Sequence, residues 1–247
     1  MRPRQKASGV TLVLVHGAGN TSRVWSRVQD HLEHRSHAID LPGRRDRPGD
    51  ITRVTIDQAA DVAATDIEAQ TTGPLILVGH SAGGIVLPAL TARLVNRVEH
   101  LVFVAGLSAR DGDAVVDTVR PEHRDEMAAR LEALRERFGR HVLDPVPRDA
   151  ASGLVVDGRT AMGIESLNFM SQRMSWDGVP QTVERTFVRC LRDRIQPRAL
   201  QAKLAENCGA STVLDLDSGH TPALTAPDRL AALLDGIAAR TVHSPQR

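Results

Sequence analysis

Apolar residues in this chain occur in two arrangements: short continuous runs, and longer stretches in which they recur every three to four positions. Short β-rich runs at residues 10–15, 36–39, 75–78, 98–104, 184–191 and 211–216, not all of them continuously apolar, predict six strands. Several lack any polar alternation, the pattern expected when helices cover both faces of a parallel sheet. Helical periodicity falls between them, at about residues 24–31, 56–70, 83–94, 197–206 and 227–239. Two of these helices carry start signals: Thr55-Ile56-Asp57, and Ala226-Pro227-Asp228 with proline at a first-turn position. Strands alternating with helices predict an α/β fold, a mostly parallel sheet of about six strands flanked by helices.

The alternation fails between residues 106 and 183, where no core strand is predicted and residues 121–138 read as a charged amphipathic helix. A helical insertion between two sheet strands is expected to be a lid over a site. The chain of 247 residues therefore reads as one domain, residues 1–247, with 106–183 as the lid.

Composition narrows the class. At 41% hydrophobic residues the chain can bury a full core without disulfide or metal staples. Two tryptophans, four phenylalanines and no tyrosine make that core aliphatic. A net charge of +1 gives no field that would steer nucleic acid or an anionic membrane. Cys190 and Cys208 are too few for a disulfide scaffold and suggest a reducing compartment. The apolar run at residues 10–15 is too short for a signal peptide, and no segment approaches a membrane span. The expectation is a soluble, cytoplasmic protein.

The chemistry centres on "LILVGHSAGGI", residues 75–85. Gly-x-Ser-x-Gly arises by chance about 0.1 times in a chain of this length. Here it follows an apolar strand and precedes a helix, the setting of a nucleophile elbow. Ser81 is the candidate nucleophile, and the amide of Ala82 faces a developing oxyanion. His220, in "LDLDSGHTPALTAPDRLA", follows the last strand and is the candidate base. Parallel strands send their C-terminal ends one way, so it shares an edge with Ser81. Asp193, just past the preceding strand, is the candidate acid; Asp111 and Asp113 are the alternatives. Asp215 and Asp217 lie too close to His220 along the chain to reach behind its ring. A second oxyanion donor, the amide of Ala18, is expected from "VLVHGAGN" after the first strand. His80 is expected to pack. His31, His34, His37, His100, His123, His141 and His243 are expected to be solvated.

These residues resemble the α/β-hydrolase superfamily over nearly the whole chain. "HGAG" with Trp25 nine residues after His16, "AIDLPG", "LVGHSAGG" and "GHTPALTAPDRLA" are similar to the methyl-esterase and hydroxynitrile-lyase branch of serine esterases. The resemblance implies Ser81, Asp193 and His220 as a catalytic triad, Ala18 and Ala82 as oxyanion hole, and no metal or cofactor. There are departures. Arg44, Arg45, Asp46 and Arg47 follow "DLPG" where His-Gly is usual, and they are expected to be solvated. With only nine residues before the first predicted strand, the antiparallel strands that open larger members are not expected here. Cyanohydrin-cleaving relatives carry lysine after the catalytic histidine, and Thr221 here argues against that reaction.

The expected function is therefore hydrolysis of a small-molecule carboxylic ester or lactone through an acyl-enzyme on Ser81. The alternatives are a thioesterase, or a pathway lyase or cyclase, using the same triad, and a hydrolase-like ligand-binding protein without catalysis. Residues 161–176, "AMGIESLNFMSQRMSW", hold three of the five methionines. Phe169, Met170, Met174 and Trp176 are accordingly expected to wall an apolar pocket for the substrate. The sequence leaves oligomeric state open.

Overall fold

A computed structural model describes residues 7–44, 47, 49–138 and 158–243 of the chain. Six strands form one sheet: β1 (Ala7–Val15), β2 (His34–Ile39), β3 (Leu75–His80), β4 (Val98–Val104), β5 (Glu184–Cys190) and β6 (Thr212–Leu216). Their order is β2-β1-β3-β4-β5-β6, and every pairing is parallel. β1 therefore has β2 on one side and β3 on the other. The chain reverses its direction of travel there, and a crevice opens beyond the strand ends, the usual ligand position in such sheets.

Alternation along the strands explains the two cores. Val13, Val15, Leu77, Leu101, Phe103 and Phe187 face one side of the sheet. They pack under α2 (Ile56–Gln70), α3 (Gly83–Arg93) and α7 (Arg198–Asn207). Leu12, Leu14, Ile76, Val78, Val102, Val104 and Val188 face the other side. That face is covered by α1 (Ser26–His31) and α9 (Pro227–His243), with the short α8 (Pro222–Thr225) leading into α9. Thr55 caps α2 as its sequence predicts: its hydroxyl accepts from the Gln58 amide, and the Gln58 side chain accepts from the Thr55 amide. The predicted helix over residues 24–31 is divided into a 3-10 turn at Ser22–Trp25 and α1.

The connection between β4 and β5 carries α4 (Val115–Val119), a 3-10 turn (Pro121–His123), α5 (Arg124–Phe138) and α6 (Gly158–Met170). An isolated bridge between Ala114 and Arg173 joins its two ends. Among the described residues, no helix is long and apolar enough to cross a membrane.

Two expectations of solvated side chains are corrected here. His100 is buried, its Nε2 2.9 Å from the Thr186 hydroxyl on the adjacent strand, because its position on β4 faces the helix layer rather than water. Arg44 is buried as well, paired with Glu165 of α6, and Arg47 forms an ion pair with Asp66. Arg45, Asp46 and His141 lie outside the described residues.

Candidate active site

Ser81 sits between the end of β3 and the start of α3 with φ 50°, a left-handed backbone that a residue with a Cβ adopts only under constraint. The constraint is visible in its hydrogen bonds. The Ser81 amide donates to Val104 O at 3.2 Å, and its carbonyl accepts from Gly84 at 3.0 Å and Leu107 at 2.8 Å. The flanking glycines are there for space. A Cβ on Gly79 would sit 2.9 Å from the Gly83 carbonyl, and one on Gly83 would sit 2.6 Å from His16 O. Neither position accepts a side chain without moving backbone.

His220 follows β6, with its Nε2 3.1 Å from Ser81 Oγ and its Nδ1 2.7 Å from Asp193 Oδ2. The carboxylate of Asp193, beyond the end of β5, is fully buried and also accepts from the amides of Ile195 at 2.8 Å and Gln196 at 2.9 Å. Burial alone would raise its pKa. The bond from His220 and the two amides outweigh it and hold the carboxyl below the usual range. With Asp193 ionised, Nδ1 of His220 carries a proton and Nε2 is left to accept from the Ser81 hydroxyl. Three other aspartates near this edge are engaged elsewhere. Asp111 accepts from the Trp176 amide, Asp215 pairs with Arg189, and Asp217 pairs with Arg192.

Two buried histidines frame this line of groups. The Nε2–H of His80 donates to the backbone carbonyl of His220 at 2.8 Å. Burial, reinforced by the nearby His220 ring, lowers the His80 pKa to about 4. His16 takes the Leu41 amide on Nε2 at 3.2 Å and lies 2.8 Å by Nδ1 from Gly17 O. Burial and the nearby Arg44 charge push its pKa well below the usual value, so it remains neutral. The loop that begins at His16 passes close to the elbow: a Cβ on Gly17 would lie 3.1 Å from Ser81 Cβ. Neither Ala18 nor Ala82, among the described residues, gives its amide to a backbone carbonyl outside the helices and strands. Both amides belong to buried residues beside Ser81.

A cavity of about 460 Å³ opens over Ser81 and His220. Its apolar wall includes Leu107, Met127, Met162, Leu167, Met170 and Leu200; the charged Arg120, Glu126 and Arg130 also reach it. Of the four residues expected to wall a pocket, only Met170 does so. Phe169 is buried on the opposite side of α6 against the sheet core. Met174 is buried, with its sulfur accepting the Ala109 amide. Trp176 donates its indole N–H to Ala109 O and stacks under the Arg185 guanidinium. Those three glue the connection to the sheet. Met162 and Leu167 fall within residues 161–176 but not among the four residues expected to wall the pocket, and Met127 lies outside that segment; its available signal is Leu131, four positions on along a highly charged helix. Among the described residues, no group of three or more His, Cys, Asp and Glu is arranged to hold a metal ion.

Residues 12–233 match the model of the alpha/beta hydrolase family. Over 249 residues the chain is 30% identical to Lipase LipV of Mycobacterium tuberculosis, covering 94% of each chain. It is 25% identical to a pyrethroid hydrolase of Sphingobium wenxiniae, over 92% of this chain and 87% of the relative. The solved structure of an extracellular alpha/beta-hydrolase from a Paenibacillus species superposes with a TM-score of 0.72 at 18% identity, over 95% of this chain and all of the other.

Proposed function

The chain belongs to the alpha/beta hydrolase family, and on that premise we propose that it is a carboxylic ester hydrolase working through an acyl-enzyme on Ser81. The observation that carries this reading is the unbroken line of hydrogen-bonding distances from Asp193 through His220 to Ser81, built from the ends of three different strands. Relatives named as a lipase and a pyrethroid hydrolase agree with it.

In the first half-reaction Ser81 Oγ attacks the ester carbonyl while His220 Nε2 takes the hydroxyl proton. The carbonyl oxygen becomes an oxyanion between the amides of Ala18 and Ala82. Among the described residues neither amide is bonded to a backbone carbonyl outside the helices and strands, which suits both to this task. Collapse of the tetrahedral adduct breaks the ester C–O bond, and His220 returns its proton to the leaving alkoxide. Water then attacks the acyl-serine with His220 again as base, and the acid departs. Asp193 holds the ring in the required tautomer and stabilises its transient charge.

The volume of the cavity suits a small-molecule substrate, and its largely apolar wall suits an uncharged acyl or alcohol group. The described part of the connection between β4 and β5 acts as the lid, since α4, α5 and α6 supply most of that apolar wall. The experiment is hydrolysis of a short aryl ester, together with labelling by a fluorophosphonate. Wild type should turn over the ester and become labelled, and Ser81→Ala should do neither. A labelled Ser81→Ala protein would move the nucleophile to another residue.

A further inference from the structure

The chain after "DLPG" does something its charge alone does not suggest. Arg44 turns inward, and its guanidinium makes three separate contacts. Nε donates to Asn20 O at 2.9 Å, Nη1 donates to Pro42 O at 2.8 Å, and Nη2 pairs with Glu165. The two side chains of the ion pair are 0% and 1% exposed. A pair this deeply desolvated is a poor device for stability, because removing two charges from water cancels most of what their attraction returns. Its retention calls for another explanation, and its surroundings supply one.

Glu165 lies on α6, the helix whose residues Met162, Gly163 and Ser166 border the cavity. The same oxygen that meets Arg44 also accepts the Gly19 amide, at 2.8 Å. Gly19 has φ 68° and lies so close to α6 that a Cβ on it would be 2.8 Å from Met162 Cβ. Ala18 is thus the middle of a short loop held at both ends. His16 and Gly17 fix its start through the His16 ring. Gly19 and Asn20 fix its end, through Glu165 and Arg44 respectively.

We infer that the buried Arg44–Glu165 pair is a positioning device, which clamps the loop carrying the Ala18 amide onto α6 and so aims one oxyanion donor. This inference rests on the esterase reading above. Neither side chain is among those lining the cavity, so both act through the loop. A donor aimed at the developing oxyanion matters more to the transition state than to the bound ester. Loss of the clamp should therefore fall on kcat rather than KM.

Two variants test it. Glu165→Gln keeps the shape but removes the charge, and its amide can accept from only part of the set that Glu165 serves. The double variant Arg44→Met/Glu165→Leu replaces the pair with apolar side chains, so no charge is left buried alone and folding is protected. Circular dichroism and thermal melting identify which variants are folded. In a folded variant kcat should fall tenfold or more with KM within about threefold of wild type. Affinity for a trifluoromethyl ketone, which adds Ser81 to give a tetrahedral oxyanion, should fall by the same factor as kcat/KM. Affinity for the corresponding alcohol, which forms no adduct, should hold, as should the pH dependence of kcat/KM. A folded variant with wild-type kcat and ketone affinity overturns the inference. So does equal weakening of ketone and alcohol, which would make the pair a shaper of the pocket. A wild-type enzyme that neither hydrolyses esters nor takes a fluorophosphonate would instead overturn the esterase reading itself.

Discussion

His80 and His220 meet across the ends of β3 and β6, where the His80 Nε2–H donates to the His220 backbone carbonyl at 2.8 Å and the ring centres lie 5.2 Å apart. The residue next to the nucleophile in sequence thus holds the main chain of the base. Burial keeps His80 neutral down to about pH 4, and its Nε2–H can donate to this carbonyl in either protonation state. His80→Ala should leave Ser81 in place but loosen the His220 loop, lowering kcat by about ten- to a hundredfold, since displacements near 1 Å carry costs of that size. His80→Gln retains a donor and should recover much of the rate. Steady-state kinetics of the two folded variants decide the matter: an alanine variant as fast as wild type would reduce His80 to packing.

The acid is tested by comparing aspartates. Asp193→Asn removes the acceptor that fixes the His220 tautomer and should cost on the order of 10⁴ in kcat. Asp217→Asn disturbs only an exposed pair with Arg192 and should stay within about threefold of wild type. Asp111→Asn weakens an acceptor for the Trp176 amide and should lower melting temperature more than rate. A severe kinetic loss in Asp111→Asn beside an active Asp193→Asn would reassign the acid.

Acid should unfold this protein through its buried histidines. His80 and His100 are both lowered by burial to about 4 from the 6.5 of an exposed ring; His100 also feels the Arg240 charge. His16 is lowered too. Because these folded-state values are depressed, the unfolded chain binds more protons below 6.5. Their contribution is complete above about pH 6.5 and is lost as pH falls toward 4. At about 1.36 kcal/mol per pH unit, His80 and His100 each cost the fold on the order of 3 kcal/mol over that window. Asp193, also depressed, adds its loss at lower pH, as its carboxylate is protonated. Urea midpoints at several pH values measure the slope, and His100→Gln should flatten it by up to one proton while leaving kcat unchanged. A midpoint that does not move between pH 6.5 and 4.5 would contradict the neutral burial of these rings.

What the sequence made readable follows from the range of the physics. Strand runs such as residues 75–78 carry their own signature, because burial on both faces leaves no polar positions. Ser81, Asp193 and His220 could be brought to one edge from chain order alone, since parallel strands share a direction. Arg44 could not be read this way. Its burial depends on Glu165, 121 positions later in the chain, and a lone arginine after a turn looks like any solvated one. The methionine and aromatic cluster at residues 161–176 failed for a related reason. Composition locates an apolar segment, but only the rotation of α6 decides that Met162 and Met170 turn to the cavity and Phe169 to the core.

That rotation separates two groups of variants. Met170 and Leu167 line the cavity on α6, and Met127 closes it from α5. Truncating any of them enlarges the space beside the reacting carbonyl, so Met170→Ala and Leu167→Ala should shift preference toward bulkier esters. The methylenes at stake are worth about 1–3 kcal/mol between substrates, a ten- to two-hundredfold change in relative kcat/KM. Met174→Ala and Trp176→Ala act on the anchor instead. Met174 is fully buried, and truncation there should destabilise by about 2–5 kcal/mol. Trp176→Ala removes an indole bond to Ala109 and a face for Arg185, which should also appear as a lower melting temperature. Neither should reorder substrates while the protein remains folded. The measurement is kcat/KM for a series of aryl esters of matched reactivity and increasing acyl size, with melting temperature recorded for each variant. Reordering by Trp176→Ala without reordering by Met170→Ala would place the specificity wall on the anchor, against the orientation of α6 described above.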